Sequence, residues 1–391
     1  MVIVTYKYVV EVLTPTIITS PSGYRGLSYT IVSNYINGSI VRGALFSYLL
    51  LEKLITKGIV DSEARNPSHS VSPALPVPKD MASQAIPYLD TAFAHSLSYM
   101  FKGDGKIVYS LGIDKLLSQI RKGLRLEEAF YSIINEFAIA RDREAYKNND
   151  VFTSSSETRR VLGDTIAKSG GKWIRVNPSL SIYVENAVDR ARGSAAEGML
   201  YAYEYIEPGS TFIGYISTEE KSNISKVLES IKNSDILIRI GRGIGRGYGV
   251  SKLTLTPVEI KAEDIYIESN NKFIMYAASP LVNPRGLPRP LAVGDEVELS
   301  LWDRYKVARV RIDGIIGGAV WRFYGWSYRT SFPKLPVEAL IPGNLALVSL
   351  HEIFNRSLID VLYVAGFSML SSQGYNFVKI LDRDFIPQFA R

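Results

Sequence analysis

Cysteine is absent from the chain of 391 residues, and histidine occurs only three times, at His69, His95 and His351. Without cysteine there can be no disulfides, thiolate zinc sites, iron–sulfur clusters or cysteine nucleophiles. The three histidines lie far apart and form no metal-binding pair, so we interpret each of them as structural. The sequence therefore predicts neither a metal site nor a cofactor.

Long apolar runs are also missing, since none approaches the roughly 18–20 residues that a membrane span needs. The N-terminal stretch MVIVTYKYVVEVLTP lacks the extended apolar region and the cleavage site of a signal peptide. We therefore expect a cytoplasmic protein with no membrane partner. The net charge of +6 favours polyanionic partners only weakly, because many basic proteins bind no nucleic acid.

Acidic residues are absent from one long window near the N-terminus. Residues 14–51, the acid-free segment, contain no Asp, Glu, His or Lys, and their only charges are Arg25 and Arg42. The segment begins with a loop that contains SPSGYRGLSYT and continues with the turn NYINGSIVRG. We predict that a helix follows this turn, with Ser39 as its cap and Gly58 at its end.

Segments that resemble strands lie on both sides of a middle block that is predicted to be helical. Strands are predicted at residues 2–13, 173–185, 199–216 and 235–240, with a helix near 219–233. The middle block, about 60–172, is predicted to hold helices near 89–101, 114–122 and 126–147. A second unit begins near residue 260, with strands predicted around 273–278, 295–300, 306–313, 319–324 and 346–350 and a short helix near 357–365.

A weak internal repeat consists of three similar turns. The stretches YINGSIVRG (35–43), YIEPGSTFIG (205–214) and LIPGNLALV (340–348) each carry Asn-Gly or Pro-Gly after isoleucine. Such pairs mark tight turns, because glycine adopts positive φ at little cost. The three are either unrelated turns or parts of a repeated domain plan. In the second case the turn introduces a helix in the first copy and a strand in the other two.

The stretch IGRGIGRGYGV, residues 240–250, has glycine at every second position from Gly241 to Gly249. The dinucleotide-binding fingerprint needs glycines at relative positions 1, 3 and 6, and no register of this stretch supplies them. A phosphate-binding P-loop needs Gly-Lys followed by Ser or Thr, which is also absent. Two interpretations remain: an RNA-contacting loop with exposed backbone, or a bent or bulged strand with solvated arginines.

No set of residues indicates catalysis. A Ser-His-Asp triad would have to use one of three isolated histidines, and no serine has the Gly-x-Ser-x-Gly surroundings of a nucleophile elbow. We therefore predict no catalytic residue.

Several motifs together resemble the RAMP superfamily of CRISPR effector proteins. They are the turn INGSIVRG before a first helix, the early loop, and GRGIGRGYG after an apolar strand. The family turn usually reads Pro-Gly-Ser, and Asn37 replaces the proline here. Residues 189–216 are similar to the segment before the last core strands in the larger, single-copy RAMP subunits of type III complexes. Residues 325–348 are similar to the C-terminal part of the subunits that hold the 5′ handle of the guide RNA. Together they favour the handle-binding subunit, particularly its type III-D form.

The resemblance implies an α+β fold of two ferredoxin-like (RRM-like) domains with a helical insertion in the first. The expected domains are residues 1–258, which include the glycine-rich loop and the insertion at about 60–172, and residues 259–391. The implied function is that of a non-catalytic RNA-binding scaffold. Its partners would be the guide RNA, the large polymerase-like subunit and the backbone RAMP subunits, with target RNA contacted only indirectly.

The early loop bears on whether such a protein cuts RNA. Backbone RAMP subunits cut target RNA with an aspartate in an early loop, whereas residues 14–51 of this chain contain no acidic residue. If the loops correspond, this chain cannot cleave in the same way. The alternatives are an endoribonuclease of the same superfamily that processes the guide precursor, a filament-capping subunit at the 3′ end, and a protein-interaction subunit without RNA contact.

The resemblance and the chemistry of single-stranded RNA together predict the site residues. Arginines neutralise phosphates, aromatic side chains stack on bases, and glycines let an RNA backbone approach closely. The predicted RNA-binding residues are Gly241, Arg242, Gly243, Gly245, Arg246, Gly247, Tyr248 and Gly249, then Tyr24 and Arg25 in the early loop, Ser39 and Arg42 at the first helix, and Arg285 and Arg289 as a second patch.

Overall fold

The computed structural model of the chain describes residues 2–24, 29–78, 91–101, 107–109, 115–116, 118–120, 122–139, 158–189, 191–192, 194–259, 271–285, 288–324, 326–327 and 332–380. Strands predominate over helices in these residues. No helix in the described ranges is long and apolar enough to cross a membrane.

The elements follow one another along the chain in three groups. The first group is β1 (Ile3–Val12), β2 (Thr19–Tyr24), β3 (Tyr29–Val32), α1 (Gly38–Leu51), α2 (Lys57–Arg65), β4 (His69–Val71) and β5 (Leu75–Val77). The second group is β6 (Thr91–Phe93), β7 (Tyr99–Phe101), β8 (Val108–Tyr109), α3 (Leu126–Ile139), β9 (Thr158–Arg160), β10 (Thr165–Ser169), β11 (Lys172–Arg175), β12 (Leu180–Asp189), β13 (Ser194–Ile206), β14 (Thr211–Glu219), α4 (Asn223–Ile231), β15 (Asp235–Arg239) and β16 (Val250–Val258). The third group is β17 (Lys272–Ala277), β18 (Val282–Asn283), β19 (Arg289–Pro290), β20 (Glu296–Leu301), β21 (Tyr305–Ile316), β22 (Val320–Phe323), β23 (Trp326–Ser327), β24 (Phe332–Pro333), β25 (Val337–Leu340), β26 (Leu345–Ile353), α5 (Leu362–Ala365) and β27 (Val378–Ile380).

The N-terminal sheet has the strand order β15-β16-β1-β14-β4, and β5 also pairs with β14. Its middle strand β1 is antiparallel to both β14 and β16. Tyr6, Tyr8 and Val10 of β1 are fully buried, as a strand with one face on a core requires. Helices α1 and α4 pack in the same core, for example through Leu45 and Leu228. Without the two short strands β5 and β15, the strands of this sheet and the helices α1 and α4 follow one another along the chain as β-α-β-β-α-β.

The first helix forms where the sequence predicts it, but its ends differ from the prediction. Asn37, and not Ser39, is the N-cap: the Asn37 side chain accepts a hydrogen bond from the Ser39 backbone N–H at 3.0 Å. The helix ends at Leu51, and Lys53 adopts a left-handed φ of 57° that turns the chain away. Gly58 lies inside α2 and ends neither helix, so the predicted cap and end are both wrong.

The middle block contains strands as well as helices. The predicted helix at 126–147 is confirmed as α3 over residues 126–139, whereas residues 140–147 lie outside the described ranges. The prediction of a helix at 89–101 is wrong, because β6 and β7 occupy this stretch. Residues 91–98 are all buried, including the polar Thr91, His95, Ser96 and Ser98, so the polar positions do not mark a solvent-exposed face from which a period could be read.

The C-terminal sheet has the strand order β20-β21-β26-β17-β27. Four of its strands, β17, β20, β21 and β26, match strands predicted for the second unit, whereas no strand is predicted at β27. The strand predicted at 319–324 is β22, which pairs with β25 in a separate sheet. Both faces of strand β17 are buried. Tyr276 packs in a core shared with Phe130 of α3, whereas Met275 packs in a core on the opposite face. A Cβ at Gly314 would lie 3.0 Å from the Phe130 ring, so this glycine lets α3 approach the sheet closely. The middle block is therefore part of the core of the second unit.

The two sheets contact each other through the end of β14. The Glu219 carboxylate accepts a hydrogen bond from the Tyr305 hydroxyl at 2.8 Å and lies 3.3 Å from the Arg304 guanidinium. The Ser217 hydroxyl donates to the Val364 carbonyl at 2.9 Å. The division into domains 1–258 and 259–391 stays a prediction.

The three similar turns have the consequences predicted for a repeated plan. The turn at Asn37 precedes α1, whereas the two Pro-Gly turns precede β14 and β26. Gly209 and Gly343 adopt φ values of 86° and 87°, which explains why glycine follows proline in both. Strands β14 and β26 also hold equivalent positions, next to β1 and β17 respectively.

Candidate nucleic-acid interface

The glycine loop, residues 240–249, connects β15 to β16, which pair as an antiparallel hairpin. Gly243 and Gly247 adopt left-handed φ values of 76° and 89° on either side of one 3-10 turn, Ile244–Arg246. The Arg246 backbone N–H closes this turn by donating to the Gly243 carbonyl at 2.8 Å. The stretch is therefore a structured hairpin loop and not a bulged strand.

Two glycines of the loop are needed for its own backbone packing. A Cβ at Gly249 would lie 2.0 Å from the Ile240 carbonyl oxygen, and a Cβ at Gly241 would lie 2.4 Å from the Ile17 carbonyl oxygen. Both glycines also have positive φ, at 79° and 81°. Glycine is therefore needed at positions 241 and 249 because the protein's own backbone approaches closely there, and not because an RNA backbone does.

The other glycines differ in what surrounds them. A Cβ at Gly243 would meet the Tyr248 ring at 2.6 Å, whereas a Cβ at Gly245 or Gly247 would meet no atom within 4 Å. Gly245 has no positive φ and lies within the 3-10 turn. Neither packing nor backbone conformation requires glycine at position 245. The space in front of it is open to a ligand.

The acid-free segment begins directly against the glycine loop. The Arg242 backbone N–H donates to the Ile17 carbonyl at 2.9 Å, and the Gly249 N–H donates to the Pro15 carbonyl at 2.9 Å. From this contact the segment continues into the β2–β3 hairpin. Two segments that the sequence indicates separately therefore form one surface.

A second sheet extends this surface, with the strand order β12-β13-β3-β2. Tyr183 of β12 lies directly opposite Tyr203 of β13, and its ring centroid is 5.0 Å from that of Tyr205. Tyr248 of the glycine loop completes the group, at 6.3 Å from both Tyr183 and Tyr203. We refer to these four residues as the tyrosine cluster.

Glu185 joins the tyrosine cluster to the glycine loop. Its carboxylate accepts hydrogen bonds from the Arg246 guanidinium at 2.9 Å, from the Tyr248 hydroxyl at 3.4 Å and from the Tyr203 hydroxyl. Burial, together with the hydrogen bonds to Glu185 and Tyr248, raises the pKa of Tyr203, which therefore stays protonated and donates. The Arg246 guanidinium lies 5.4 Å from the centre of the Tyr248 ring, within cation–π range.

The two arginines of the loop are therefore not equivalent. Arg246 is held by Glu185, whereas the side chain of Arg242 is exposed. In the part of the chain that the structure describes, the Arg242 side chain makes no hydrogen bond or ion pair. Of the two, Arg242 is the better placed to neutralise a phosphate.

Of the two residues predicted at the first helix, Arg42 belongs to a buried network with His69 and Glu63. The Arg42 guanidinium donates to His69 Nε2 at 2.9 Å and to the Glu63 carbonyl at 3.1 Å. His69 Nδ1 in turn lies 2.8 Å from the Glu63 carboxylate. Ser39 lies in the first turn of α1, beside the N-cap. The guanidinium of Arg42 is thus committed to the protein interior.

The remaining predicted residues are spread over the chain. Tyr24 ends β2, and Arg25 lies outside the described residues. Arg285 and Arg289 both lie in the second unit, at the small β18–β19 pair, and Arg289 is held by an ion pair with Asp295 at 2.5 Å. Within the described ranges, no hydrogen bond, ion pair or ring contact joins this patch to the glycine loop.

Two of the three histidines are inaccessible. His69 and His95 are each 1% exposed, and burial lowers the pKa of His69 to about 4 and that of His95 to about 3. His351 lies exposed at the rim of a cleft between α3 and the C-terminal sheet. Among the described residues, no group of three His, Asp or Glu side chains could hold a metal ion.

Glu185 and three members of the tyrosine cluster were not among the site residues predicted from the sequence. A signal was present, since SIYVEN and YAYEYI both alternate in the manner of strands. The alternation indicates that Tyr203 and Tyr205 share one face of a strand. It cannot show that this face meets the glycine loop.

Comparison with known proteins identifies the family. The family model of the RAMP superfamily matches residues 9–252, which include the end of β1, the acid-free segment and the glycine loop. The chain belongs to the RAMP superfamily. This assignment rests on more than half of the chain, although the C-terminal sheet of this RAMP protein lies beyond the matched residues. No curated protein matches the chain.

Several solved structures are similar to this RAMP protein at low identity. A chain of the type III-B Cmr-beta complex bound to cognate target RNA is 13% identical, with 96% of this chain and 99% of that chain covered and a TM-score of 0.42. A chain of the Csm3–Csm4 subcomplex of the type III-A CRISPR–Cas interference complex is 13% identical, with coverages of 89% and 94% and a TM-score of 0.36. Oligomeric Cmr4 from Pyrococcus furiosus is 17% identical, with coverages of 66% and 100% and a TM-score of 0.27.

Proposed function

We propose that this RAMP protein is a non-catalytic RNA-binding scaffold subunit of a type III CRISPR interference complex and that it holds the 5′ handle of the guide RNA. One observation carries the proposal: backbone hydrogen bonds join the acid-free segment to the glycine loop. This joined surface combines an exposed arginine, an open glycine and aromatic rings. Single-stranded RNA is bound by such combinations of cationic and aromatic groups.

The proposal includes the architecture of two ferredoxin-like domains. In the N-terminal unit the strands β16, β1, β14 and β4 lie side by side in that order, with α1 and α4 in the core of the sheet. A ferredoxin-like domain has the same succession of β-α-β-β-α-β. The C-terminal unit has the comparable strand order β27-β17-β26-β21, with α5 before its last strand.

The absence of catalysis is also part of the proposal. An early-loop aspartate cannot act here, since residues 14–51 contain no acidic side chain. His69 and His95 are buried, so neither can reach an RNA ribose as a general base. By the sequence resemblance, the partners would be the guide RNA, the large polymerase-like subunit and the backbone RAMP subunits, with target RNA contacted indirectly.

Replacing Arg242 with alanine is expected to weaken binding of a repeat-derived RNA about threefold to tenfold. It is also expected to reduce the slope of log affinity against log salt by about 0.7, the value for one lost phosphate contact on a single strand. Filter-binding titrations at several salt concentrations measure both quantities. Arg246→Ala is expected to reduce the salt slope less, because Glu185 already neutralises this arginine.

Arg322→Ala is the matched control, since Arg322 is an exposed arginine in the second unit, paired with Glu338. It is expected to leave both affinity and slope unchanged. Equal effects of Arg242→Ala and Arg322→Ala would contradict the proposed surface. The RNA is expected to stay intact in all these reactions, and specific metal-independent cleavage would favour a processing endoribonuclease instead.

A further inference from the structure

The tyrosine cluster offers an aromatic surface in a fixed orientation. Tyr183 is 43% exposed, whereas Tyr203, directly opposite on β13, is only 6% exposed. Tyr205 and Tyr248 flank the Tyr183 ring at 5.0 Å and 6.3 Å. Tyr183 is thus an exposed ring supported by three other rings. Such a ring can stack on an unpaired base without first losing conformational freedom.

A carboxylate lies beside this ring on the same face of β12. Glu185 follows Tyr183 by two residues, which corresponds to about 7 Å along a strand. Three donors hold its carboxylate in position, namely Arg246, Tyr203 and Tyr248. The side chain of Glu185 remains 28% exposed and that of Arg246 54% exposed. Glu185 and Arg246 therefore present a hydrogen-bond acceptor and a hydrogen-bond donor next to each other, beside the exposed ring of Tyr183.

The Glu185 carboxylate favours contact with an RNA base over contact with the RNA phosphate backbone. A carboxylate repels phosphates, so Glu185 lowers the affinity of this position for an RNA backbone. A base edge is different, because base N–H groups donate to carboxylates. Guanine is the only standard base with two adjacent donors on its Watson–Crick edge, N1–H and N2–H. Its neighbouring O6 accepts a hydrogen bond, which matches a donor beside the carboxylate.

We propose that the tyrosine cluster, Glu185 and Arg246 form a subsite for one unpaired guanine of the bound RNA. The base stacks on Tyr183, and the Arg246 guanidinium donates to O6. The guanine N1–H and N2–H donate to the Glu185 carboxylate and replace the long hydrogen bond from the Tyr248 hydroxyl at 3.4 Å, so the carboxylate accepts no more than four hydrogen bonds. This inference rests on the proposed RNA-binding function and adds a base preference to it. Arg246 then reads a base, and the phosphate contact is left to Arg242.

The test compares two RNAs that differ by one exocyclic amine. Each is an oligouridine of about twelve nucleotides, long enough to slide on the surface, with one central guanosine or inosine. Inosine lacks the N2 amine and keeps N1–H and O6. Fluorescence anisotropy with the full chain is expected to show roughly fivefold to tenfold tighter binding of the guanosine RNA. In Glu185→Gln this ratio is expected to fall to about one, while the inosine RNA binds at least as tightly as before.

Two further variants separate the base contact from other effects. Glu338→Gln removes another exposed carboxylate that is paired with an arginine, and it is expected to keep the guanosine preference. Tyr183→Leu is expected to weaken both RNAs about tenfold, through loss of stacking. Circular dichroism checks that every variant is folded.

The outcomes distinguish this inference from the function on which it rests. Failure of the wild-type chain to bind either RNA at low salt would overturn the proposed function. Binding of both RNAs with equal affinity would overturn the guanine subsite and leave the RNA-binding function in place. A guanosine preference that survives in Glu185→Gln would also overturn the subsite.

Discussion

Replacing Gly249 with alanine is expected to destabilise the protein by about 3 kcal/mol or more, whereas Gly245→Ala is expected to change stability by no more than about 0.5 kcal/mol. The added methyl group at position 249 would lie 2.0 Å from a backbone oxygen, that of Ile240, and at a φ of 79°. The methyl group at position 245 would meet nothing within 4 Å. The same substitution is therefore expected to destabilise the protein at position 249, where the fold requires glycine, and to be tolerated at position 245, where it does not.

Urea unfolding followed by circular dichroism measures the two stabilities. RNA affinity is then measured for both variants, under conditions in which both are folded. Gly245→Ala is expected to weaken RNA binding while the fold is unchanged, because the methyl group occupies space that an RNA backbone would approach. Equal stabilities of the two variants would contradict the loop structure. Unchanged RNA affinity of Gly245→Ala would contradict a role for position 245 in RNA binding.

Mild acid is expected to destabilise the protein by about 4 kcal/mol between pH 7.5 and pH 5. Burial lowers the pKa of His69 to about 4 and that of His95 to about 3, from an ordinary value of 6.5. At pH 5 the unfolded chain therefore binds protons at both positions, and the folded chain does not. Stability is full above pH 6.5 and is lost as the pH falls towards 4, with each histidine contributing about 2 kcal/mol at pH 5.

Urea unfolding at pH 7.5, 6.5 and 5 measures this loss directly. His95→Gln is expected to remove about half of the difference between pH 7.5 and pH 5, whatever its effect on stability at pH 7.5. A protein as stable at pH 5 as at pH 7.5 would show that these histidines are not buried in the neutral form.

The parts of the fold that the sequence predicts are those with a clear period or turn. The alternating apolar residues of β1 and the strand DILIR before the glycine loop correspond to strands, with bounds within one or two residues. The helix predicted at 89–101 is instead the two short strands β6 and β7. Residues 91–98 give no exposed face from which a period could be read, because even the polar residues among them are buried. The packing of α3 on the C-terminal sheet brings Phe130 against Gly314. These residues are far apart in the sequence, so no local sequence pattern could predict their contact.

The candidate site, too, could be predicted from the sequence only where a local pattern marks it. Composition and spacing indicate the glycine loop and the acid-free segment, but their joining depends on the Arg242–Ile17 backbone contact. Arg42 looks like an RNA contact in the sequence, yet its guanidinium is bonded to His69 inside the protein. Glu185 is one acidic residue among many in the sequence, and it becomes notable only because three donors converge on it in the structure.

The proposed function requires this RAMP protein to hold the 5′ end of a guide RNA within a larger complex. Ultraviolet crosslinking of the complex purified with its own RNA, followed by mapping of the crosslinked nucleotides and peptides, tests it most directly. We expect crosslinks from the 5′ handle to peptides that contain the glycine loop or the tyrosine cluster. Crosslinks confined to the 3′ end of the RNA, or a complex in which this chain crosslinks to no RNA, would contradict binding of the 5′ handle by this protein.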